Sequence, residues 1–247
     1  MTASRQRLDV LLVARALAPS RDRARALVMA GAVFVAGHRV DKPGTAIPCD
    51  AEVEVRGNDH PWVSRGGLKL AHALEAFALD VSGTLALDVG ASTGGFTDVL
   101  LHHGAARVYA VDVGHGQLAW ALRNDARVVV LERTNARNLG PQQIPEQVDV
   151  IVCDASFIGL RTVLPAALAL AAPGARLVAL IKPQFEAGRE RVGKGGVVRD
   201  PAVHVEVCDT IRDWLARDCG WTVLGVTESP VTGPAGNKEF LIAARRD

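Results

Sequence analysis

One short stretch of the sequence, LALDVGASTGGF at residues 85–96, constrains the fold more than any other part of the chain. Its first five residues alternate as in a buried β-strand, and a glycine-rich turn follows directly. α/β folds that bind nucleotide-like ligands begin with such a strand and turn. The residues of the turn that we expect to contact a cofactor are Gly90, Ala91, Ser92, Gly94, Gly95 and Phe96.

The acidic residue just before this turn, Asp88, restricts the class of ligand. A dinucleotide loop needs free amide groups that face a pyrophosphate, whereas a carboxylate at this position suits a cationic ligand without phosphates. S-adenosylmethionine is such a ligand, so we expect Asp88 to take part in binding it. The strand-turn pattern alone also fits a nicotinamide-dependent oxidoreductase, and Asp88 argues against that alternative.

A second acidic residue lies at the distance from the turn at which such folds bind a ribose. The segment RVYAVDV at residues 107–113 predicts the next strand, and Asp112 falls 22 residues after Gly90. An acidic residue about 20 residues on accepts hydrogen bonds from ribose hydroxyls in these folds. The alternative is that Asp112 only caps the strand. Asn135, which follows a candidate strand at residues 127–131, is a candidate contact for the adenine edge.

The strands and helices predicted after the opening motif alternate along the chain. The seven candidate strands are residues 85–89, 107–113, 127–131, 148–153, 176–181, 221–227 and 239–243. Alternation with helices indicates a parallel sheet, whereas the connection between the last two strands is rich in Pro and Gly and too short for a crossover helix. We therefore predict an α/β fold of the class I (Rossmann-like) type, a mostly parallel seven-stranded sheet with an antiparallel last strand.

Four ionisable residues are predicted to meet at one edge of this sheet. In open α/β sheets, ligands bind beyond the carboxyl ends of the parallel strands. Asp154 and Lys182 each follow such a strand directly, and Glu239 begins the antiparallel last strand at the same edge. A helix predicted before the first strand can carry Lys69 over this edge. We expect the four side chains to converge beside the cofactor, although each one alone could be a cap or a surface charge.

This set of residues suits methyl transfer to an alcohol. Because the sulfonium of the cofactor is already a good leaving group, the enzyme has to align the hydroxyl and assist the loss of its proton. Lysine has a reference pKa of about 10.4, which a second cation and partial burial lower. We predict that Lys182 is the base and that Lys69 and Asp154 tune and orient it. Glu239 is expected to hold Lys69 or the ribose.

Composition excludes several classes of protein. The chain is 49% apolar and 22% charged, and it has neither an uncharged stretch long enough to span a membrane nor a secretory signal. We therefore expect a cytoplasmic protein. Its 4 cysteines and 7 histidines lack the spacing of metal ligands, so we expect no metal site. We also expect a monomer.

Positive charge is concentrated at the amino-terminal end. Residues 1–42 hold eight Lys and Arg against three acidic residues, a net charge of +5, whereas the remainder holds 20 basic and 24 acidic residues, a net charge of −4. Such a local basic region is expected for a phosphate-binding module attached to a larger catalytic domain. The predicted organisation is a small α+β RNA-binding domain at residues 1–57, a linker at 58–64 and the catalytic domain at 65–247.

The amino-terminal domain is predicted to be a helix-helix-hairpin unit. Ser20 is a good N-cap for a helix over residues 21–30, followed by short strands. Within this helix Arg21 and Arg25 share one face, where like charges repel unless something anionic neutralises them. The alternative is an ordinary solvated face.

The segment SRDRARALVMAGAVFVAGHRVDKPG at residues 20–44 resembles the RNA-binding module of small-subunit ribosomal protein S4. That resemblance implies that arginines of the domain contact structured RNA. The residues predicted to bind RNA are Arg5, Arg7, Arg21, Arg25, Lys42 and, at the start of the catalytic domain, Arg65.

Motifs spread along almost the whole chain resemble the TlyA family, whose members are also described as haemolysin A-like. The motifs are RGGLKL at residue 65, DVGASTGGFTDVLL at 88, VDVGHGQLAW at 111, ERTNAR at 132, DASFI at 154, KPQFE at 182 and GN-x-EF at 236. The resemblance implies cytidine 2′-O-methylation of ribosomal RNA with S-adenosylmethionine. It also implies that the family's catalytic tetrad falls on Lys69, Asp154, Lys182 and Glu239.

The family has longer members that act on RNA of both ribosomal subunits and shorter members restricted to the large subunit. Because this chain ends at Asp247, soon after its last strand, we expect a large-subunit target, with small-subunit RNA as the alternative. Two further alternatives are a membrane-active haemolysin-like protein and a non-catalytic RNA-binding assembly factor. The lack of a spanning segment argues against the first, and a methyl-transfer assay separates the second from an enzyme.

Overall fold

A computed structural model describes residues 4–18, 20–29, 31–55, 60–233 and 235–247. The chain divides into two compact units, Met1–Val63 and Ser64–Asp247. The predicted domain end at residue 57 and the first two residues of the predicted linker lie outside the described residues.

The described part of the first unit consists of short strands around two helices. Its elements are β1 (Arg5–Arg7), α1 (Leu8–Ala14), α2 (Arg21–Met29), β2 (Val33–Val35), β3 (His38–Arg39), β4 (Ala46–Pro48) and β5 (Val53–Val55). β1 pairs with β4, and β2 pairs with both β3 and β5, all antiparallel. Ser20 caps α2 as predicted, because its Oγ accepts a hydrogen bond from the backbone N–H of Arg23 at 3.2 Å. α2 ends at Met29, and residue 30, the predicted last residue, lies outside the described residues.

The apolar faces of α1 and α2 form the core of this unit. Leu8, Leu12, Val28 and Val33 have no exposed surface. Leu8, Leu11 and Leu12 recur at helical spacing, which places their side chains on the buried face of α1.

The second unit alternates strands and helices. Its helices and strands are α3 (Gly66–Ala76), β6 (Leu85–Val89), α4 (Gly95–His102), β7 (Arg107–Val111), α5 (Trp120–Arg123), β8 (Val128–Leu131), β9 (Val148–Cys153), α6 (Leu160–Val163), α7 (Pro165–Ala169), β10 (Ala171–Ile181), α8 (Pro183–Glu186), α9 (Pro201–Asp213), β11 (Trp221–Glu228) and β12 (Phe240–Arg246). Short 3₁₀ turns lie at Ala136–Asn138 and Arg189–Arg191, and a π-helical turn follows α9 at Trp214–Asp218.

These strands form one seven-stranded sheet in the order β11-β12-β10-β9-β6-β7-β8. β12 is antiparallel to both of its neighbours, β10 and β11, whereas the other neighbouring pairs are parallel. This arrangement confirms the predicted fold class. It also brings the carboxyl ends of β6, β7, β9 and β10 and the start of β12 to the same edge.

Six predicted strand limits differ from the structure. β8 begins and β11 ends one residue later than predicted, and β12 extends to Arg246 instead of ending at residue 243. The strand predicted at residues 107–113 ends at Val111, because the next residue, Asp112, uses its carboxylate to bond backbone N–H groups and turns the chain. The last strand begins at Phe240, so Glu239 precedes it instead of starting it. β10 begins earlier than predicted, at Ala171, with a register shift before Arg176.

The central strands are covered on both faces, which explains their nearly continuous apolar runs. Leu87, Ile151, Leu177 and Ile242, from four neighbouring strands, are completely buried in the main core. Such strands leave the edge of the sheet as the place where polar side chains emerge. None of the described helices has the length and apolar character that a membrane crossing requires.

Candidate active site

A cleft opens in the second unit at the carboxyl edge of the sheet. It consists of two cavities of about 560 and 380 Å³. The residues that line both of them are Gly90, Ser92, Asp154, Ser156 and Phe157. Because the cavities share this wall, one elongated ligand can extend from one cavity into the other, or two reacting molecules can meet at the wall.

The smaller cavity contains the two residues predicted to contact a nucleoside. The carboxylate of Asp112 accepts hydrogen bonds from the backbone N–H groups of Ser92 at 2.8 Å and Gly114 at 2.7 Å. Asn135 lines the same cavity, and its Oδ1 accepts a hydrogen bond from the backbone N–H of Arg137 at 3.1 Å. Each Asp112 oxygen has a second lone pair, which a ribose hydroxyl can use. Asp112 therefore both shapes the turn and presents an acceptor to the cavity.

The glycine-rich turn requires glycine at two positions because another backbone segment passes close by. Gly90 has φ +82°, and a Cβ there would lie 2.9 Å from the Cα of Ala155. A Cβ on Gly95, the first residue of α4, would lie 2.9 Å from the backbone nitrogen of Gly67 in α3. The turn is thus fitted tightly between the loop after β9 and the start of α3.

The turn residues reach the cleft unequally. Those that line a cavity are Gly90, Ala91, Ser92, Gly95 and Phe96. Gly94 lines neither cavity and instead turns the chain into α4 at φ +94°. Its contact with a cofactor stays a prediction.

Asp88 also lies elsewhere than predicted. Its side chain is completely buried and lines neither cavity, and its Oδ2 accepts a hydrogen bond from Thr97 Oγ1 at 2.7 Å. Its Oδ1 has no hydrogen-bond partner among the described residues. Burial raises the pKa of Asp88 to about 7, and the charges of Asp154 and Asp112 act in the same direction. The prediction that this carboxylate faces a cationic ligand is therefore wrong in position, since it lies beneath the turn.

The larger cavity contains all four residues of the predicted tetrad. Lys69 Nζ lies 2.7 Å from Glu239 Oε2 and 3.6 Å from Asp154 Oδ2, and Lys182 Nζ lies 2.7 Å from Asp154 Oδ1. The four groups thus form one row in which carboxylates and ammonium groups alternate. We call this row the charged cluster.

Burial makes the pairing within the charged cluster necessary. Lys69, Lys182 and Glu239 are 8%, 6% and 2% exposed. Charges removed from water to this extent are stable only when they are paired and hydrogen-bonded. The alternation of two positive and two negative groups meets this condition and leaves the cluster without net charge.

Lys182 Nζ lies close to three oxygen atoms, and it donates hydrogen bonds to two of them. Besides the ion pair with Asp154, its Nζ donates to the backbone oxygen of Asp154 at 3.0 Å and to Ser156 Oγ at 2.8 Å. Ser156 is exposed and lies on the wall that both cavities share. A substrate hydroxyl can therefore take the place of the Ser156 hydroxyl beside Lys182.

The loop before β12 holds Glu239 in position. The backbone N–H of Ser229 donates to the backbone oxygen of Glu239 at 2.9 Å. A Cβ on Gly233 would lie 2.7 Å from Glu239 Oε1. The side chain of Asn237 accepts from the Val198 N–H at 3.0 Å and donates to the Gly196 oxygen at 2.8 Å. The loop that contains Gly196 is therefore fastened to the rim of the larger cavity.

Sequence reasoning missed an aromatic residue at the junction of the cavities. Phe157 is 91% exposed, has φ +65° and lies with its ring centroid 5.3 Å from that of Phe185. The DASFI motif contains it, but no periodicity distinguishes an exposed phenylalanine from a buried one. Its position after the carboxyl end of β9 was the signal that could have identified it, together with Ser156.

The predicted RNA-binding residues lie on both units. Arg65 is exposed and lines the larger cavity of the second unit. In the first unit, Lys42 is exposed, and Arg5 donates a hydrogen bond to the backbone oxygen of Ala46 at 2.6 Å.

Arg7, Arg21 and Arg25 converge on one carboxylate, that of Asp9. The shortest contacts with Asp9 are 3.0 Å from Arg7, 3.2 Å from Arg21 and 3.3 Å from Arg25. The anion that we expected between Arg21 and Arg25 is therefore supplied by the protein itself, which sequence reasoning missed. We call these four residues the Asp9 cluster.

In the described part of the chain, no three His, Cys, Asp or Glu side chains are grouped so that they could hold an ion. The expected lack of a metal site stays a prediction.

Two family comparisons cover most of the chain. Residues 62–246 match the family of FtsJ-like methyltransferases, and residues 6–52 match the S4 domain. The fold and the site thus define a methyltransferase that carries an S4 RNA-binding domain.

Individual relatives agree with this class. The 16S/23S rRNA (cytidine-2'-O)-methyltransferase TlyA of Mycobacterium tuberculosis is 52% identical over 98% of this chain and 91% of its own length. The 23S rRNA (cytidine-2'-O)-methyltransferase TlyA of Campylobacter jejuni is 33% identical over 73% of this chain and 69% of its own. A solved structure from Streptococcus thermophilus, described as a hemolysin, is 44% identical, covers 99% of this chain and 90% of its own, and has a TM-score of 0.77. The chain belongs to the TlyA family.

The residues of the cleft fit S-adenosylmethionine, the predicted cofactor, which the family assignment confirms. Asp112 offers acceptors for ribose hydroxyls in the smaller cavity, and Asn135 offers an amide beside it. Asp154 brings negative charge to the wall between the cavities, which suits a cationic sulfonium. These residues would hold the nucleoside end in the smaller cavity and the reactive end near the charged cluster.

Proposed function

We propose that this protein methylates the ribose 2′-hydroxyl of a cytidine in ribosomal RNA. The observation that carries the proposal is the convergence of Lys69, Asp154, Lys182 and Glu239 in one cavity beside the cofactor cavity. We further propose that residues 1–57 bind the RNA, that residues 58–64 link the domains and that residues 65–247 perform the reaction. The match of residues 6–52 to the S4 domain supports the first part of this division.

The roles of the four residues follow from their contacts. When bound, S-adenosylmethionine supplies a methyl group activated by a sulfonium. After Lys182 has released one of its own protons to solvent, its neutral Nζ accepts the proton of the ribose hydroxyl and holds that hydroxyl where the Ser156 hydroxyl now lies. Asp154 fixes Lys182 through the 2.7 Å ion pair and provides the counter-charge when Lys182 becomes protonated. Lys69, anchored by Glu239, holds the other oxygen of Asp154.

A nucleobase fits the remaining features of the larger cavity. Phe157 presents an almost fully exposed ring at its edge, and single-stranded or extruded bases stack on such rings. Arg65 and the exposed Lys194 lie on or next to segments that line the cavity and can meet the phosphates of the target strand. These features favour a nucleotide of a polymer over a small alcohol.

Large-subunit RNA is the target that we favour. The two relatives with specified activities are named for 16S/23S and for 23S rRNA, so 23S rRNA is common to both names. Small-subunit RNA remains the alternative target, and mapping of ribose methylation in both RNAs of cells with and without this protein distinguishes them.

The test of the mechanism is Lys182→Ala, with Lys238→Ala as its matched control, since Lys238 is exposed and lines neither cavity. We expect Lys182→Ala to lower the rate of methyl transfer by roughly 10²–10⁴-fold, because it removes the base while the smaller cavity remains. Affinity for S-adenosylmethionine, measured by calorimetry, should stay within a few-fold of the unchanged protein. Near-normal turnover in Lys182→Ala would refute the assignment of the base. Absence of 2′-O-methylation by the unchanged protein on ribosomal RNA would refute the proposed function.

A further inference from the structure

We propose that Asp9 is a positioning residue that holds the three arginines of the Asp9 cluster as a binding site for phosphates of RNA. The inference rests on the proposed function, since it takes RNA as the ligand. It adds a role for an acidic residue in recognition of a polyanion, which net charge alone would not suggest.

The contacts fix the orientation of the guanidinium groups. Arg7 bonds both carboxylate oxygens of Asp9 through Nε and Nη2, each at 3.0 Å. Arg21 Nη2 and Arg25 Nε both bond Asp9 Oδ2, at 3.2 and 3.3 Å. A single carboxylate thus gathers one residue from β1 and two from α2. Without it, three like charges at this separation would repel each other and spread into solvent.

Within the Asp9 cluster the carboxylate is buried and the arginines are partly exposed, which is what a binding site requires. The Asp9 side chain is 0% exposed, whereas those of Arg7, Arg21 and Arg25 are 51%, 54% and 47% exposed. The carboxylate is therefore covered, and the outer faces of the guanidinium groups are open to a ligand. Each guanidinium has five N–H donors, and Asp9 occupies only one or two of them.

The charge of the cluster is not balanced. Three guanidinium groups face one buried carboxylate, and a further acid, Asp22, lies 3.9 Å from Arg25 with 77% of its side chain exposed. The arginines hold the pKa of Asp9 well below its usual range, so Asp9 stays ionised over the working range of pH. The excess positive charge then faces solvent at any pH at which RNA is bound.

The backbone around Asp9 keeps the carboxylate in place. Asp9 lies in the first turn of α1, and its N–H donates to the oxygen of Pro43 at 3.0 Å. The adjacent Leu8 N–H donates to Thr45 at 2.9 Å. A Cβ on Gly44 would lie 3.3 Å from Arg7 Nη1, so the guanidinium of Arg7 packs directly on this loop. The anchor is therefore rigid although its arginines are half-exposed.

Phosphates along an RNA strand suit this arrangement. The planar fork of a guanidinium binds phosphate through two parallel hydrogen bonds, and successive phosphates can engage separate arginines. Anionic lipid headgroups present phosphate groups on a membrane surface, so the test also includes binding to vesicles.

The experiment compares Asp9→Asn with Asp22→Asn in the full-length protein. Both variants remove one negative charge near the same arginines, but only Asp9 organises them. Binding to a transcript of large-subunit ribosomal RNA is measured by filter retention at several salt concentrations. We expect Asp9→Asn to bind about tenfold more weakly with a shallower salt dependence, although its net charge is more positive. Asp22→Asn should bind as tightly as the unchanged protein or slightly more tightly.

Two further measurements keep folding separate from positioning. Melting temperature and S-adenosylmethionine affinity are measured for each variant. Arg21→Lys keeps the charge and, at a half-exposed position, the fold, but loses the planar fork, and it should bind RNA about threefold more weakly. If Asp9→Asn loses its fold, Arg21→Lys alone decides the test, and unchanged RNA affinity would overturn the proposal.

The outcomes distinguish this inference from the proposed function. Equal RNA affinities of Asp9→Asn and Asp22→Asn, with RNA methylation intact in the unchanged protein, would overturn the inference alone. Absence of RNA binding by the unchanged protein would overturn both. Binding to vesicles of phosphatidylcholine and phosphatidylserine that exceeds binding to RNA and is lost in Asp9→Asn would replace RNA by a lipid surface and overturn the inference as stated.

Discussion

Asp88 combines complete burial, a single side-chain partner and a position beneath the glycine-rich turn. Its pKa of about 7 means that it changes charge within the range of pH in which enzymes are assayed. Because its carboxylate has no basic partner among the described residues, ionisation of Asp88 opposes folding.

We predict that the Asp88→Asn variant gains stability relative to the unchanged protein as pH rises. The pKa in the unfolded chain is 3.8 and that in the folded chain about 7, so the folded state binds more protons in this window. The contribution of Asp88 to stability therefore falls as pH increases from about 4 to 7 and is constant above. Between pH 5 and pH 8, the free energy of unfolding of Asp88→Asn should rise relative to that of the unchanged protein by on the order of 3 kcal/mol. Urea unfolding at pH 5 and pH 8 measures it.

The matched control is Asp218→Asn, at an exposed position of the same unit. Its stability relative to the unchanged protein should be similar at both pH values. An equal difference for Asp88→Asn at pH 5 and pH 8 would contradict the raised pKa.

Residue positions at strand ends could be predicted from the sequence, whereas the directions of side chains could not. Asp154 and Lys182 were identified because a parallel strand places its next residue at the binding edge. Asp88 lies in the strand β6 itself, and only the fold decides that its side chain points away from both cavities. Asp9 was missed as a partner of Arg21 and Arg25 because it lies 12 and 16 residues away from them in sequence.

At the scale of elements, the cleft depends on how closely the turn after β6 approaches the loop after β9. A Cβ on Gly90 would lie 2.9 Å from the Cα of Ala155 after β9, and the backbone N–H of Gly90 bonds the backbone oxygen of Val111 at the end of β7 at 2.9 Å. One residue thus links three neighbouring strand ends at the wall shared by both cavities.

We predict that Gly90→Ala abolishes tight binding of S-adenosylmethionine. The added Cβ would lie 2.9 Å from the Cα of Ala155, so backbone has to move and the shared wall with it. We expect at least a tenfold loss of affinity by calorimetry. Gly83→Ala is the control, since Gly83 has a similar φ of +70° but open space around it. It should lose about 1 kcal/mol of stability and keep its affinity. Equal affinities of the two variants would show that backbone overlap at Gly90 is unimportant.

The order of elements was predictable and some of their limits were not. Alternating apolar segments predicted all seven strands of the sheet, and the short Pro/Gly connection predicted the direction of β12. The end of β7 was missed because it is set by hydrogen bonds between the Asp112 carboxylate and the turn after β6. Contacts between segments far apart in sequence leave no periodic signal.

At the scale of the whole molecule, the two units differ in the distribution of their charges. The first contains an excess of arginine, including the Asp9 cluster, whereas the charged cluster of the second is neutral. Salt should therefore act on the two binding events differently.

We predict that RNA affinity falls steeply with salt and that S-adenosylmethionine affinity does not. If the three arginines of the Asp9 cluster each neutralise one phosphate, they contribute a slope of about −2 to −3 in a plot of log affinity against log salt concentration. Filter binding between about 50 and 200 mM salt measures the slope. A flat response of RNA binding would contradict the role of the amino-terminal charge.

The distance in sequence between Lys69 and Glu239, 170 residues, has a consequence for biosynthesis. β12 enters the sheet between β10 and β11, both of which are made before it. A nascent chain can therefore form its amino-terminal unit and most of the sheet while Lys69 still lacks Glu239, the nearer of its two carboxylate partners. The enzyme is assembled as a catalyst only when its last strand has been synthesised and inserted, so a chain still under translation has no complete site with which to modify RNA.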